Sequence, residues 1–388
     1  MDVEQIRGQI PTCQRMIYMN TGWSGPSPRT VVEAVGERLE YESYEGPTSK
    51  PVYESGNALR QTARECAASL LNVSVDEIAL TQCTTDGLNT VINGLPWAQG
   101  DEVITFGIEH SSVLLPAYHL KERHGVKVKV LPLGPSDTAE DIVARVEAAI
   151  SPRTRLLFFS HIQYTCGLRV PVEGLRELTL AKGVWMLIDG AQTAGHIALD
   201  LRALDVDFYS IPGQKWLLGP DGMGALYIRR DLIPVVRPWR VAGRSVLSYD
   251  DQGNFEANET SMEKFHLTTS SAPLAAGFAK AIRYHQAAGP GEVESRAMHL
   301  ARRLKEALVE MPGVTVISPT EDSLSCGLTS FQVEGLTPDD AVARLWEQHS
   351  IVVRQVRELE CVRASTHLFN TEGEVDALVE AMGGLVGA

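Results

Sequence analysis

One lysine, Lys215, stands in a turn-rich segment between two short apolar runs, Val206 to Tyr209 and Gly224 to Ile228. An amine on a loop between buried strands is partly desolvated, which lowers its pKa and suits it to form a Schiff base with an aldehyde. The segment alone fits a snorkelling surface lysine equally well. Upstream, the apolar run from Val184 ends in Asp189, with Gln192 three residues on. An acid there is either a turn former or a partner for a buried cation. Thr84 and Thr85 follow a short strand and open an amphipathic helix, so hydroxyls and helix N-terminal amides converge where an anion can sit. An ordinary Thr N-cap has the same local pattern. His110, in Glu-His-Ser-Ser, has an unperturbed pKa near neutrality and suits a proton carrier or a helix cap. Arg354 ends an apolar run and Arg363 lies in Cys-Val-Arg-Ala-Ser. A guanidinium fork matches a carboxylate with two parallel hydrogen bonds, whether that carboxylate belongs to a substrate or to a structural ion pair.

Alternating strands and helices must position these residues. An extended piece, Met16 to Asn20, leads to a Gly/Pro-rich turn, Thr21 to Pro28, and helical periodicity covers Val31 to Glu42 and Val52 to Leu71. Strands are predicted at Asp101 to Phe106, Lys127 to Leu131 and Arg155 to Phe159, with helices to about His124, over Thr138 to Ala149 and over Val172 to Lys182. After Gly289-Pro-Gly291 a long amphipathic helix reaches about Met311. Strands Val314 to Ile317, Gly327 to Gln332 and Ile351 to Arg354, with helices Pro338 to Gln348 and Glu372 to Met382, make a smaller α+β domain.

Bulk properties narrow the classes. A chain of 388 residues with 44% hydrophobic and 22% charged residues is ordinary for a globular protein of more than one domain. A net charge of -14 with no basic run argues against nucleic acid as a partner. No apolar run approaches membrane-spanning length, and the N-terminus lacks a leader pattern, so no membrane association is expected. The six cysteines are scattered without CxxC or His-Cys clusters, which suggests neither a metal site nor a disulfide framework and points to a cytoplasmic protein.

Asp189, Gln192, Gly213, Lys215 and Gly219-Pro-Asp-Gly222, in that order, resemble the class V aminotransferase family of pyridoxal-phosphate (PLP) enzymes. The resemblance implies an α/β architecture, the PLP-dependent transferase fold. Its large domain, residues 21–275, would hold a mostly parallel seven-stranded sheet between helices. The smaller α+β domain would take residues 1–20 and 276–388. It also implies PLP as cofactor, with Lys215 as the Schiff-base lysine, Asp189 facing the ring nitrogen and Gln192 reaching the phenolic oxygen. His110 would stack on the ring, and Thr84, Thr85 and Gln214 would line the phosphate. Asn20, Gly22, Tyr164, Arg354 and Arg363 would line the substrate site. Thr269, in Thr-Thr-Ser-Ser, would complete the site of a neighbouring subunit in a homodimer. Gln214 and Pro212 depart from the usual His and Ser/Thr of the lysine loop, Thr268 from a glycine, and Tyr164 from an asparagine.

Within the family, a desulfurase needs a nucleophilic cysteine on a mobile loop just before the carboxylate-binding arginine. Here the interval Gln355 to Glu360 is short and holds no thiol, while Cys361 and Cys326 fall in or at the start of strands. The segment is most similar to that of cysteine/cystine C-S lyases. The expected reaction is β-elimination from cysteine, cystine or an S-substituted cysteine, giving pyruvate, ammonia and a thiol or persulfide. The alternatives are a desulfurase making alanine, and an epimerase or aminotransferase.

Overall fold

Apolar runs such as Leu156–Phe159 and Met186–Ile188 lack polar alternation, the pattern of strands covered on both faces, and every residue in them is buried. They lie at the centre of a seven-stranded sheet in the computed structural model, which describes residues 1–386. From one edge the strands are Ile78–Thr81, Gly224–Ile228, Phe208–Pro212, Trp185–Asp189, Thr154–Ser160, Glu102–Phe106 and Lys127–Leu131. Gly224–Ile228 is antiparallel to both neighbours; the other pairs are parallel. Side chains alternate between the two faces. Leu157, Phe159, Met186 and Ile188 join one hydrophobic cluster, while Leu156, Phe158 and Leu187 join another. Helices cover both, as the α/β expectation requires.

A second sheet, four-stranded and antiparallel, runs in the order Val314–Val316, Leu328–Val333, Cys361–Ser365, Arg354–Val356. Helices Pro290–Val309, Pro338–His349 and Glu372–Val386 cover it. The helix Ala272–Ala288 runs across the 275/276 point at which the sequence reading divides the two domains. Among the described residues no helix is long and apolar enough to cross a membrane.

The predicted strand Ile351 to Arg354 is two strands. Ile351–Val352 pairs in parallel with Ile17–Tyr18, and Arg354–Val356 pairs with Cys361–Ser365. Local apolarity identifies extended backbone but carries no information about which partner each residue meets. The hairpin Val246–Tyr249/Phe255–Ala257 was not anticipated. Its Leu247, Tyr249 and Phe255 are exposed, so it has no core-facing pattern to read.

Candidate active site

The lysine loop is pinned at its base. Pro212 pairs with Gly224 across the strand ends, and Gly213 N donates to Met223 O and Gly219 N to Gly213 O, both at 2.8 Å. Leu218, buried, is held at φ 58, a left-handed conformation that costs a non-glycine residue about 1 kcal/mol. The N-terminal turn clamps the loop from outside. Gly25 N donates to Gln214 O at 2.7 Å, and a Cβ on Gly25 would lie 2.4 Å from Lys215 O, so only glycine fits there. Lys215 is half-buried. Burial lowers its pKa to about 8 against the opposing pull of Asp189, with Arg363 and Arg354 lowering it further.

Asp189 ends its strand inside the sheet and accepts a hydrogen bond from Ala191 N at 2.8 Å. Burial raises its pKa, and Lys215 opposes that shift. The carboxylate and the amine therefore feel each other's charge in a desolvated space.

Next to the lysine, Trp216 is held on every side. Its Nε1 donates to Gln192 Oε1 at 2.8 Å, and Gln192 Nε2 donates to Gly22 O at 2.8 Å. His196 stacks on the indole at 3.6 Å between ring centres, 7° from parallel. His196 Nε2 accepts from Gly327 N at 2.8 Å, which leaves Nδ1–H to donate to Gln192 O at 2.8 Å. His367 Nε2 donates to Trp216 O at 2.8 Å. Gln192 is thus first a clamp between the N-terminal turn and the tryptophan, with one amide hydrogen left over.

The anion cup forms at the helix Thr84–Gly94. Cys83 is its N-cap and makes no side-chain cap bond, so neither threonine caps the helix and its first amides stay available. Thr84 Oγ1 is buried without a partner, as is Gln214 Oε1. Thr85 Oγ1 lies 2.8 Å from Ser112 Oγ and faces outward. Pro212 contributes no hydroxyl, as its type requires. Ser210, two residues earlier, uses its own to reach Thr84 O at 2.9 Å.

His110 caps the helix Ser111–His124, its Nδ1 accepting from Ser112 N at 3.1 Å. Its ring meets Tyr164 edge-on at 5.1 Å. Burial first, then Lys215, Arg354 and Arg363, lower its pKa to about 4. At neutral pH it is an uncharged imidazole.

Arg363 is fully buried on its strand. Its Nη1 donates to Tyr164 O at 2.6 Å, while Nε and Nη2 have no partner. Burial and the neighbouring Arg354 bring its pKa down to about 10. Gly22 lies so close that a Cβ there would sit 3.1 Å from Arg363 Nη2. Asn20 bridges to Ser365 beside them, and its Oδ1 is also buried without a partner. Arg354 stands directly opposite Arg363, its guanidinium 4.4 Å above the Trp23 ring. A cation left unpaired in the interior is costly unless a ligand completes it.

Thr269 is exposed on the segment leading to the helix Ala272–Ala288, whose N-cap is Ser271. It makes no hydrogen bond to the other site residues of its own chain among the described residues. No metal-binding cluster of His, Cys, Asp or Glu occurs among the described residues.

Two acids escape a reading of the sequence. Glu109, next to His110 in the chain, is buried and accepts from Ser160 N at 3.0 Å, from Ser160 Oγ and from Gln163 Nε2 at 2.6 Å. Burial raises its pKa to about 7 despite those donors. It ties the His110 loop to the end of the strand beside Asp189. Its place just before His110 was the available signal. Glu358, exposed in the turn Arg357–Leu359, gave none.

Chemically, the assembly offers a desolvated amine beside a buried carboxylate, an uncapped helix start with orphaned hydroxyl and amide oxygens, and an orphaned guanidinium. These fit a phosphorylated aldehyde with a basic ring nitrogen, together with an α-amino acid.

Comparison with known proteins agrees. The family described as Aminotransferase class-V matches residues 17–378. A probable cysteine desulfurase of Methanothermobacter thermautotrophicus is 29% identical over 402 residues, covering 100% of this chain and 99% of the relative. An isopenicillin N epimerase of Streptomyces clavuligerus is 30% identical over 406 residues, covering 100% and 99%. The solved structure of the cystine C-S lyase C-DES with its reaction product cysteine persulfide superposes with a TM-score of 0.90 at 29% identity, covering 97% of this chain and 99% of that one. The chain belongs to the class V aminotransferase family and is a PLP-dependent enzyme.

Proposed function

We propose that this enzyme cleaves the Cβ–S bond of cysteine, cystine or an S-substituted cysteine, releasing pyruvate, ammonia and a thiol or persulfide. The observation that carries the reading is the arginine strand and the turn before it. Arg363 presents unpartnered donors for an α-carboxylate, and no thiol is presented beside it. Cys361 and Cys326 are fully buried, and burial raises both pKa values, that of Cys361 to about 11. The interval before Cys361 is a tight hairpin, with the turn Arg357–Leu359 closing directly onto the strand. A persulfide-forming cysteine needs an exposed thiolate on a loop able to travel.

The cofactor, when bound, supplies an aldehyde for the substrate amine and a ring that withdraws electrons from Cα. Asp189 would keep the ring nitrogen protonated. Thr84, Thr85, Gln214 and the helix amides would hold the phosphate, His110 would line the ring, and the remaining Gln192 amide hydrogen would be donated to the phenolic oxygen. Arg363 fixes the substrate carboxylate with two charge-assisted hydrogen bonds, Arg354 lies beside it, and Asn20, Gly22 and Tyr164 close the pocket. Lys215 Nζ, with a pKa lowered to about 8, accepts the Cα proton. The electron pair left on Cα then expels sulfur from Cβ, and the released aminoacrylate takes up water to give pyruvate and ammonia.

We read the working form as a cytoplasmic homodimer, in which the exposed Thr269 reaches the partner's phosphate. The unpaired state of all six cysteines fits a reducing compartment.

The deciding assay supplies cysteine, cystine and S-substituted cysteines and measures pyruvate against alanine. Cys361→Ala and Cys326→Ala should each keep sulfur release and pyruvate formation. Alanine as product, with release lost in one variant, would make the enzyme a desulfurase. A racemised substrate or a keto acid with retained sulfur would make it an epimerase or aminotransferase.

A further inference from the structure

Glu109 is a buried acid with no cation to answer it. None of the ion pairs among the described residues includes it, and the one charged group that bears on it is Asp189, an acid like itself. Neutral donors meet its charge instead. Both carboxylate oxygens accept from Ser160 N at 3.0 Å; one also accepts from Ser160 Oγ, and the other from Gln163 Nε2 at 2.6 Å. All three donors belong to one segment, which leaves the strand Thr154–Ser160 and leads to Tyr164. Gln163 shows the force of the arrangement. It is fully buried, and its Oε1 has no partner. Turning the amide over would press that oxygen against the Glu109 carboxylate, so the anion fixes the amide as it lies.

The segment that Glu109 grips carries parts of the site at both ends. Ser160 lies directly opposite Asp189, and His161 N donates to Asp189 O at 3.0 Å. One residue past Gln163, Tyr164 O accepts from Arg363 Nη1 at 2.6 Å, and the Tyr164 ring meets His110 edge-on at 5.1 Å. His110 spends its Nδ1 on capping its own helix. Past the ends of the paired strands Glu102–Phe106 and Thr154–Ser160, no other hydrogen bond among the described residues joins the His110 loop to this segment. We infer that Glu109 is a positioning residue of the reaction: through Ser160 and Gln163 it locks the His110 ring and Tyr164 into one wall beside Asp189. An amide of the same size cannot accept from all three donors, so without the carboxylate that wall loses its fastening. This assignment rests on the reading above in which His110 lines the cofactor ring, and it adds what holds His110 there.

A double-mutant cycle of Glu109→Gln and His110→Ala tests the assignment. It is read twice: as the affinity of the cofactor-free protein for pyridoxal phosphate, titrated by the visible band, and as kcat of the holoenzyme for pyruvate formation. Each single substitution should lower both by about tenfold, the loss of one hydrogen bond to a charged group. The double variant should fall no more than about threefold below His110→Ala alone, because the two residues act through one wall. A larger loss, up to the roughly hundredfold of independent sites, would make Glu109 a structural acid unconnected with His110 and overturn the proposal. A Glu109→Gln or His110→Ala protein indistinguishable from the parent would overturn it too. Should Glu109→Gln not fold, Gln163→Met, which removes the joint from its other side at similar volume, takes its place in the cycle with the same expectations. If no pyruvate forms, the lyase reading fails by itself, and the cofactor titration decides on Glu109 by the same criterion.

Discussion

Around Lys215, the indole N–H of Trp216, both ends of the Gln192 amide and both nitrogens of His196 are partnered, and even Leu218 is forced left-handed to close the turn. Around Arg363, Nε and Nη2 and Asn20 Oδ1 are left without protein partners. The first wall is rigid because its hydrogen bonds close on themselves. The second has been built at a cost in stability, since buried donors lacking acceptors destabilise the free protein. The difference separates the two tasks of the site. A fixed amine serves one reaction chemistry, and unsatisfied charge selects what is brought to it.

The hardest blow to this contrast comes from Lys215→Ala. Turnover should fall by about three orders of magnitude or more, the visible absorbance of the cofactor-lysine linkage should vanish, and the melting temperature of the cofactor-free protein should change little. Retained colour and turnover would move the reaction centre elsewhere. Arg363→Met sharpens the other half. With substrate carboxylate binding lost, kcat/KM should drop about a hundredfold, while denaturant unfolding should show the variant to be more stable than its parent by about 1–3 kcal/mol. Destabilisation instead would mean that Arg363 is structural and that its wall was not left open.

The smallest effect tests the closed wall through pH. Burial lowers the pKa of His196 to about 3, and that of His367 well below its ordinary value. In the unfolded chain each titrates near 6.5. Between those values the unfolded state binds more protons, so stability is complete above about pH 6.5 and is lost as pH falls, by up to about 1.4 kcal/mol per pH unit for each histidine. Unfolding followed from pH 7 to pH 4 should show this loss, and His196→Phe should reduce the slope. A flat profile would contradict neutral burial of the histidines.

Much of the closed wall is legible in the chain itself. Asp189, Gln192 and Lys215 lie on consecutive strand ends of the sheet, so their spacing survives as a motif. Gln192 was legible as a residue but not as a clamp, because its partners Gly22 and Trp216 lie 170 and 24 positions away. The open wall is less legible. Ile351 to Arg354 reads as one strand, yet it divides between two sheets.

Sequence alone determined the alternation of strands and helices, the reactive lysine and its acid, and the want of a thiol between Gln355 and Glu360, because each depends on residue type and local order. Only the tertiary structure decided that Arg354 faces Arg363, that Glu109 meets Ser160 and Gln163, and that Gln192 meets Gly22 and Trp216. Those are meetings between separate segments, governed by strand register and by the burial of charge, neither of which leaves a periodic trace along the chain.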